Sequence, residues 1–202
     1  MIIEAPMPEH LSAVLNSPQF DDDSGITIEA VKYIEDRVEL TFDIKFSEGP
    51  QQQWLLTVRH VEAERFIREW TQSIAMYGEH PLLLDYTEIE TELYFRGTTS
   101  KANELFLDIF NSITQLSEYL DDVMQFILLP KEVTKLSQQE YGLFARGPKT
   151  ILKIYQQCLS DHGIHAYFID ENKSALNGQD LKLFMLGDSF IIGQSFLFER
   201  QA

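Results

Sequence analysis

The sequence predicts an α+β protein with mostly antiparallel sheet and packed helices, one of them long and lying near residues 101–127. Three observations carry this. Apolar and polar residues alternate over residues 37–46, hairpin-length turns separate most extended segments, and other segments switch to apolar spacings of three and four. At 202 residues and 44% hydrophobic composition the chain can bury roughly 70% of the surface its unfolded form exposes, so a packed core is expected.

Residues 8–16 place Leu11, Val14 and Leu15 at helical spacing, and Pro18 ends the short helix they predict. Asp21, Asp22, Asp23, Ser24 and Gly25 have no periodicity and read as an exposed acidic loop. Three strands follow. In the clearest, Val38, Leu40, Phe42, Ile44 and Phe46 alternate with Arg37, Glu39, Thr41, Asp43 and Lys45, the pattern of a half-buried antiparallel strand. Residues 26–34 precede it across Glu35-Asp36, and Trp54, Leu56 and Val58 follow the Glu48-Gly49-Pro50 turn, which makes a meander.

From Val61 to Ile74 the spacing of Phe66, Trp70 and Ile74 predicts an amphipathic helix, stopped by Gly78 and Pro81. Residues 82–86 and 90–95 read as two further strands, bounded by Gly97. Ser100 is the expected N-cap of the long helix, whose stripe is Ile109, Ile113, Leu116, Leu120, Val123 and Ile127. Pro130 ends it, and Ser117 offers a cap at which it could divide in two. A polar connector leads to Pro148 and a helix with Ile151, Ile154, Tyr155, Cys158 and Leu159 on one face, closed by Gly163. Three strands are expected last, over 164–170, 181–186 and 190–198, the final two joined by Gly187-Asp188.

Charge is unevenly spread. Asp plus Glu outnumber Lys plus Arg by 24 to 8 through residue 128, whereas the counts are 8 and 8 from Leu129 onward. This predicts an acidic α+β domain or subdomain over 1–128 and a neutral α-β-β-β subdomain over 129–202, with one continuous domain as the alternative. A net charge of −16 disfavours nucleic acid and anionic membrane surfaces and favours a basic protein partner. The lone Cys158 excludes an internal disulfide, and with no signal-like N-terminus the expected location is cytoplasmic. No run approaches the ~20 apolar residues of a membrane span.

Candidate chemistry is sparse. Asp161, His162 and His165 lie close in sequence, but a histidine in a last helical turn suits the helix dipole, and no metal site is expected. Cys158 falls on an apolar stripe and reads as a buried structural thiol; no serine-hydrolase motif is present. No catalytic residue and no cofactor are therefore assigned. Two loops, Arg96 to Lys101 and Arg146 to Thr150, bring basic and hydroxyl residues to expected helix N-termini, which makes Arg96, Lys101, Arg146 and Lys149 anion-binding candidates; neither loop matches a P-loop. Glu88, Glu90 and Glu92 alternate along one strand face, and with Asp121 and Asp122 they are the candidate residues for meeting a basic partner.

The expected order through Pro130 (helix, three strands, helix, two strands, helix), together with size and acidity, resembles the small acidic chaperones of type III secretion. The resemblance covers residues 1–128 and implies a dimeric, cytoplasmic, non-enzymatic protein that holds segments of other proteins. The expected function is accordingly a non-enzymatic protein-binding module, chaperone- or adaptor-like, for a basic or extended partner; a homodimer is left open. The alternatives are an immunity protein that neutralises a basic toxin, and a small anionic-ligand binder or enzyme using the Arg96 and Arg146 loops.

Overall fold

The computed structural model describes residues 2–116, 136, 138–169 and 180–201. Two compact units divide the chain: Met1–Leu83 with Gln179–Ala202, and Leu84–Gly178. The boundary expected near Pro130 lies outside the described residues, and this grouping differs from the expected 1–128 and 129–202. The reason is strand pairing, because the last three strands hydrogen-bond to partners from the first eighty residues.

In the first unit, β1 (Ile3–Glu4) and α1 (Glu9–Leu15) precede the meander β2 (Gly25–Ile34), β3 (Arg37–Lys45) and β4 (Gln52–Arg59). Strands β5 (Ala63–Arg65) and β6 (Ile74–Glu79) follow, and β10 (Lys182–Leu186), β11 (Ser189–Gly193) and β12 (Ser195–Arg200) return from the C-terminal end. They form two antiparallel sheets, ordered β12-β4-β3-β2 and β1-β6-β10-β11-β5. Both face one core, in which Val38, Leu40, Phe42, Ile44, Trp54, Leu56 and Val58 meet Phe184, Leu186 and Ile191, with Leu11 of α1 added. The Phe184 ring lies 6.5 Å from Phe42 and 5.4 Å, edge-on, from Phe198. The predicted alternation on β3 and β4 is thus the inward face of one sheet. Asp43 breaks it: buried, its carboxylate accepts hydrogen bonds from the Gln51 and Gln53 amides at 3.3 and 3.0 Å.

Strands 190–198, expected as one, change sheet part-way. Strand β11 pairs with β5 and β12 with β4, so the paired ribbons β4/β12 and β5/β11 turn a common corner. On one strand the bend is His60, the one non-glycine residue with positive φ (51°) among the described residues. On the other it is Gly193, where an added Cβ would stand 2.6 Å from Val58 Cγ1 and 3.1 Å from the Arg59 carbonyl. Backbone bonds from Gln194 N–H to Arg59 O and from Glu62 N–H to Ile192 O bracket the corner.

The helix expected over Val61 to Ile74 is not formed. Its backbone groups bond sideways instead: Ile67 N–H donates to Ser189 Oγ at 2.8 Å, and Thr71 and Ile26 exchange two backbone bonds. Phe66 and Ile74 join the core as parts of extended chain, and Trp70 lies against Gly25, whose hypothetical Cβ would overlap the indole. The element order behind the chaperone resemblance therefore differs at this point. The acidic loop is also only half exposed, since Ser24 and Gly25 are buried and Ser24 Oγ donates to Asp21 Oδ1 at 2.8 Å.

The second unit begins with α2 (Leu84–Thr87), which follows a 3-10 turn over Pro81–Leu83 where a strand was expected. Strand β7 (Glu90–Arg96), helix α3 (Ala102–Leu116), strand β8 (Tyr141–Pro148), helix α4 (Lys149–Asp161) and strand β9 (His165–Ile169) complete it. The sheet order is β8-β7-β9, all antiparallel. Helix α4 packs on all three strands and α3 packs on α4, burying Leu93, Phe95, Leu105, Ile109, Ile113, Ile151, Tyr155 and Leu159. The expected α4 is present between Pro148 and Gly163; the later stripe residues of the long helix, with Ser117, Asp121 and Asp122, lie outside the described residues. Strand β8 replaces the expected polar connector. A bulge opposite Leu93 and Tyr94 places Phe144 and Ala145 both inward, which hides the strand's alternation from a period-two reading.

Candidate functional site

All the described candidate residues belong to the second unit, and the register of β7 decides what they can do. Glu92 faces Arg146 across the β7/β8 pair, and Glu90 faces Pro148. The Arg146 guanidinium bonds Glu92 and, at 3.2 Å, Glu90. A residue expected to bind an outside anion thus meets two residues expected to bind an outside cation. The bond to Glu92 holds Arg146 charged by raising its pKa further.

Glu88 is also engaged within the chain. Its carboxylate accepts the Thr150 N–H at 2.9 Å and the Thr150 hydroxyl, so the free N–H groups at the start of α4 have a carboxylate of their own. Lys149 sits with its ammonium 5.6 Å from the Phe168 ring centre. Lys101 pairs with Glu104 at 2.8 Å, which raises its pKa. The hydroxyl at the start of α3 comes from Thr99, which accepts the Lys101 N–H at 3.1 Å, and not from Ser100.

The two basic loops do not converge. Arg96 closes β7 opposite Tyr141 and His165, whereas Arg146 pairs with Glu92, four residues away along the strand, a separation of roughly 13 Å. His162 and His165 also diverge: His162 Nε2 bonds Asp108 Oδ2 at 2.8 Å, and His165 stacks on Tyr167 at 5.6 Å. No group of three or more metal-ligating side chains occurs among the described residues. Cys158 is buried as expected; desolvation raises its pKa, and its Sγ lies 3.6 Å from Ser112 Oγ.

The outward face of the same sheet carries the feature the sequence reading missed. Tyr94 stands opposite both Leu143 and Tyr167, with Ile169 opposite Glu92, and Tyr141 opposite Arg96. Tyr141 is 77% exposed and Ile169 46%; Leu143 and Tyr167 are also exposed. The Tyr94 and Tyr167 rings stack at 6.2 Å, and the Tyr94 hydroxyl donates to Glu92 Oε2 at 2.8 Å, a bond that raises the phenol's pKa. An apolar and aromatic centre edged by the Glu90–Arg146–Glu92 cluster results. The alternation of Tyr94 with Leu93 and Phe95 was readable in β7, but the partners from β8 were not.

No family model, curated protein or solved structure matches the chain. No helix among the described residues is long and apolar enough to cross a membrane.

Proposed function

We propose that the protein is a non-enzymatic, adaptor-like binding module for a basic protein partner, and that the partner docks on the outward face of the β8-β7-β9 sheet. The observation that carries this reading is the exposed set Tyr141, Leu143, Tyr167 and Ile169 around Tyr94. Tyrosines with an apolar centre and a polar rim are the usual composition of a protein interface, and rigid aromatics there contribute the most binding energy. Charge supports the choice of partner. Both units are acidic, with 18 acidic against 8 basic residues in the first and 14 against 8 in the second. The anion-binding alternative has less support, because its loops lie apart and Glu88 already occupies the start of α4.

The test is co-precipitation by the tagged wild-type chain and by a Tyr141→Ser/Ile169→Ser variant, at about 50 and about 500 mM salt. The expected result is one basic protein held by the wild type at low salt and lost with the variant. Equal retention by the variant overturns the assigned face, and full retention at high salt overturns the electrostatic part.

A further inference from the structure

The first unit has a concavity of about 600 Å³ where the β2/β3 hairpin end approaches the His60 corner. Its lining combines Tyr33, Ile34 and Val61 with the carboxylates of Glu35, Asp36 and Glu64, and Arg37 is its one guanidinium. Arg37 is already engaged by Glu39 at 3.0 Å. Asp36 meets Arg59 only at 3.9 Å, with both side chains more than half exposed, a distance at which solvent leaves little attraction. Three carboxylates therefore surround an apolar hollow with one committed guanidinium. Tyr33 is 66% exposed, and desolvation together with the neighbouring Glu64 carboxylate raises its pKa.

We propose that this concavity is a socket for an arginine side chain presented by a basic segment of the partner protein. The inference rests on the protein-binding reading above and adds a second contact, on the other unit. Three features of the lining select arginine. A tyrosine face attracts a cation, and a planar guanidinium stacks on it better than an ammonium does. Glu64, beside that ring, and Asp36 offer carboxylates suited to the two-pronged bonds a guanidinium makes. Ile34 and Val61 supply apolar surface for the aliphatic stem.

The test titrates the isotope-labelled full chain with a blocked nonapeptide of alternating arginine and serine, and with its lysine counterpart, while amide shifts are followed. Tyr33→Leu and Glu64→Gln are compared with Asp22→Asn and Asp23→Asn, which change the charge of an exposed loop elsewhere. Thermal melts check that each variant is folded. Shifts confined to residues 33–37 and 60–64 are expected, with arginine preferred over lysine, and each socket variant weakening binding about fivefold or more while the loop variants change it less than about twofold. Peptide binding that the loop variants weaken as much, or that maps elsewhere, overturns the socket and leaves the protein-binding reading in place. No salt-sensitive peptide binding at all overturns the socket together with the basic-partner reading.

Discussion

The two units solve the problem of covering a sheet differently. In the first, two sheets bury their inner faces against each other, so that Phe42 and Trp54 of one and Phe184 of the other are at most 1% exposed. In the second, α4 covers one face of a single three-stranded sheet and leaves Tyr141, Leu143, Tyr167 and Ile169 in solvent on the other. The first unit therefore closes its apolar faces on each other, and apolar surface for recognition remains in the second, on the sheet face that α4 does not cover.

The largest expected effect tests the closed half of that comparison. Phe184→Ala removes the ring that lies between Phe42 and Phe198 and should cost about 3–5 kcal/mol in a urea unfolding titration. A loss below about 1 kcal/mol would mean that the two sheets do not share a tight core.

Next in size is an acid sensitivity located in the first unit. His80 is buried, its Nδ1 accepts the Leu82 N–H at 3.2 Å, and burial lowers its pKa to about 4. The unfolded chain, with a value near 6.5, binds the proton more readily between those limits. The associated stability is fully present above about pH 6.5 and is lost as pH falls toward 4, by about 3 kcal/mol in all. Unfolding titrations at pH 7 and pH 4.5 should show this for the wild type and much less of it for His80→Phe. An unchanged slope in the variant would assign the acid sensitivity to other groups.

A smaller effect is expected in the second unit. Glu88→Ala leaves the Thr150 N–H and hydroxyl without their carboxylate and should destabilise by about 1–2 kcal/mol, with sulfate restoring part of the loss in the variant only. Sulfate stabilising both proteins equally would argue against an anion site opened at α4. The smallest effect probes the open half. Tyr141→Ser and Ile169→Ser should each change stability by no more than about 0.5 kcal/mol. A cost above about 2 kcal/mol would show that this face is packed in solution and close the difference between the units.

Reading the sequence succeeded where one local period described one environment. Val38, Leu40, Phe42 and Ile44 alternate because β3 has one buried face, and Pro148 and Gly163 bound α4 because backbone geometry starts and stops helices there. It failed where burial had several causes. Phe66, Trp70 and Ile74 stand four apart, yet Phe66 and Ile74 reach the core and Trp70 lies against Gly25 from an extended chain held by Ser189 and Ile26. The bulge at Phe144 shifted the phase of β8, which hid half of the exposed aromatic face. Among the site residues, Glu90 and Glu92 were recognisable as sharing a strand face and Arg146 as a basic residue before a helix, but their mutual pairing was not.

The sequence by itself determined the α+β class, the meander and α4, because each follows from neighbours a few residues apart, and the net acidity, because composition alone sets it. Tertiary structure alone decided that residues 182–200 complete sheets begun before residue 80, and that Arg146 pairs with Glu90 and Glu92. Strand partners are chosen by long-range hydrogen bonding and shared burial, and residues more than a hundred positions apart leave no periodic trace of that choice in the chain.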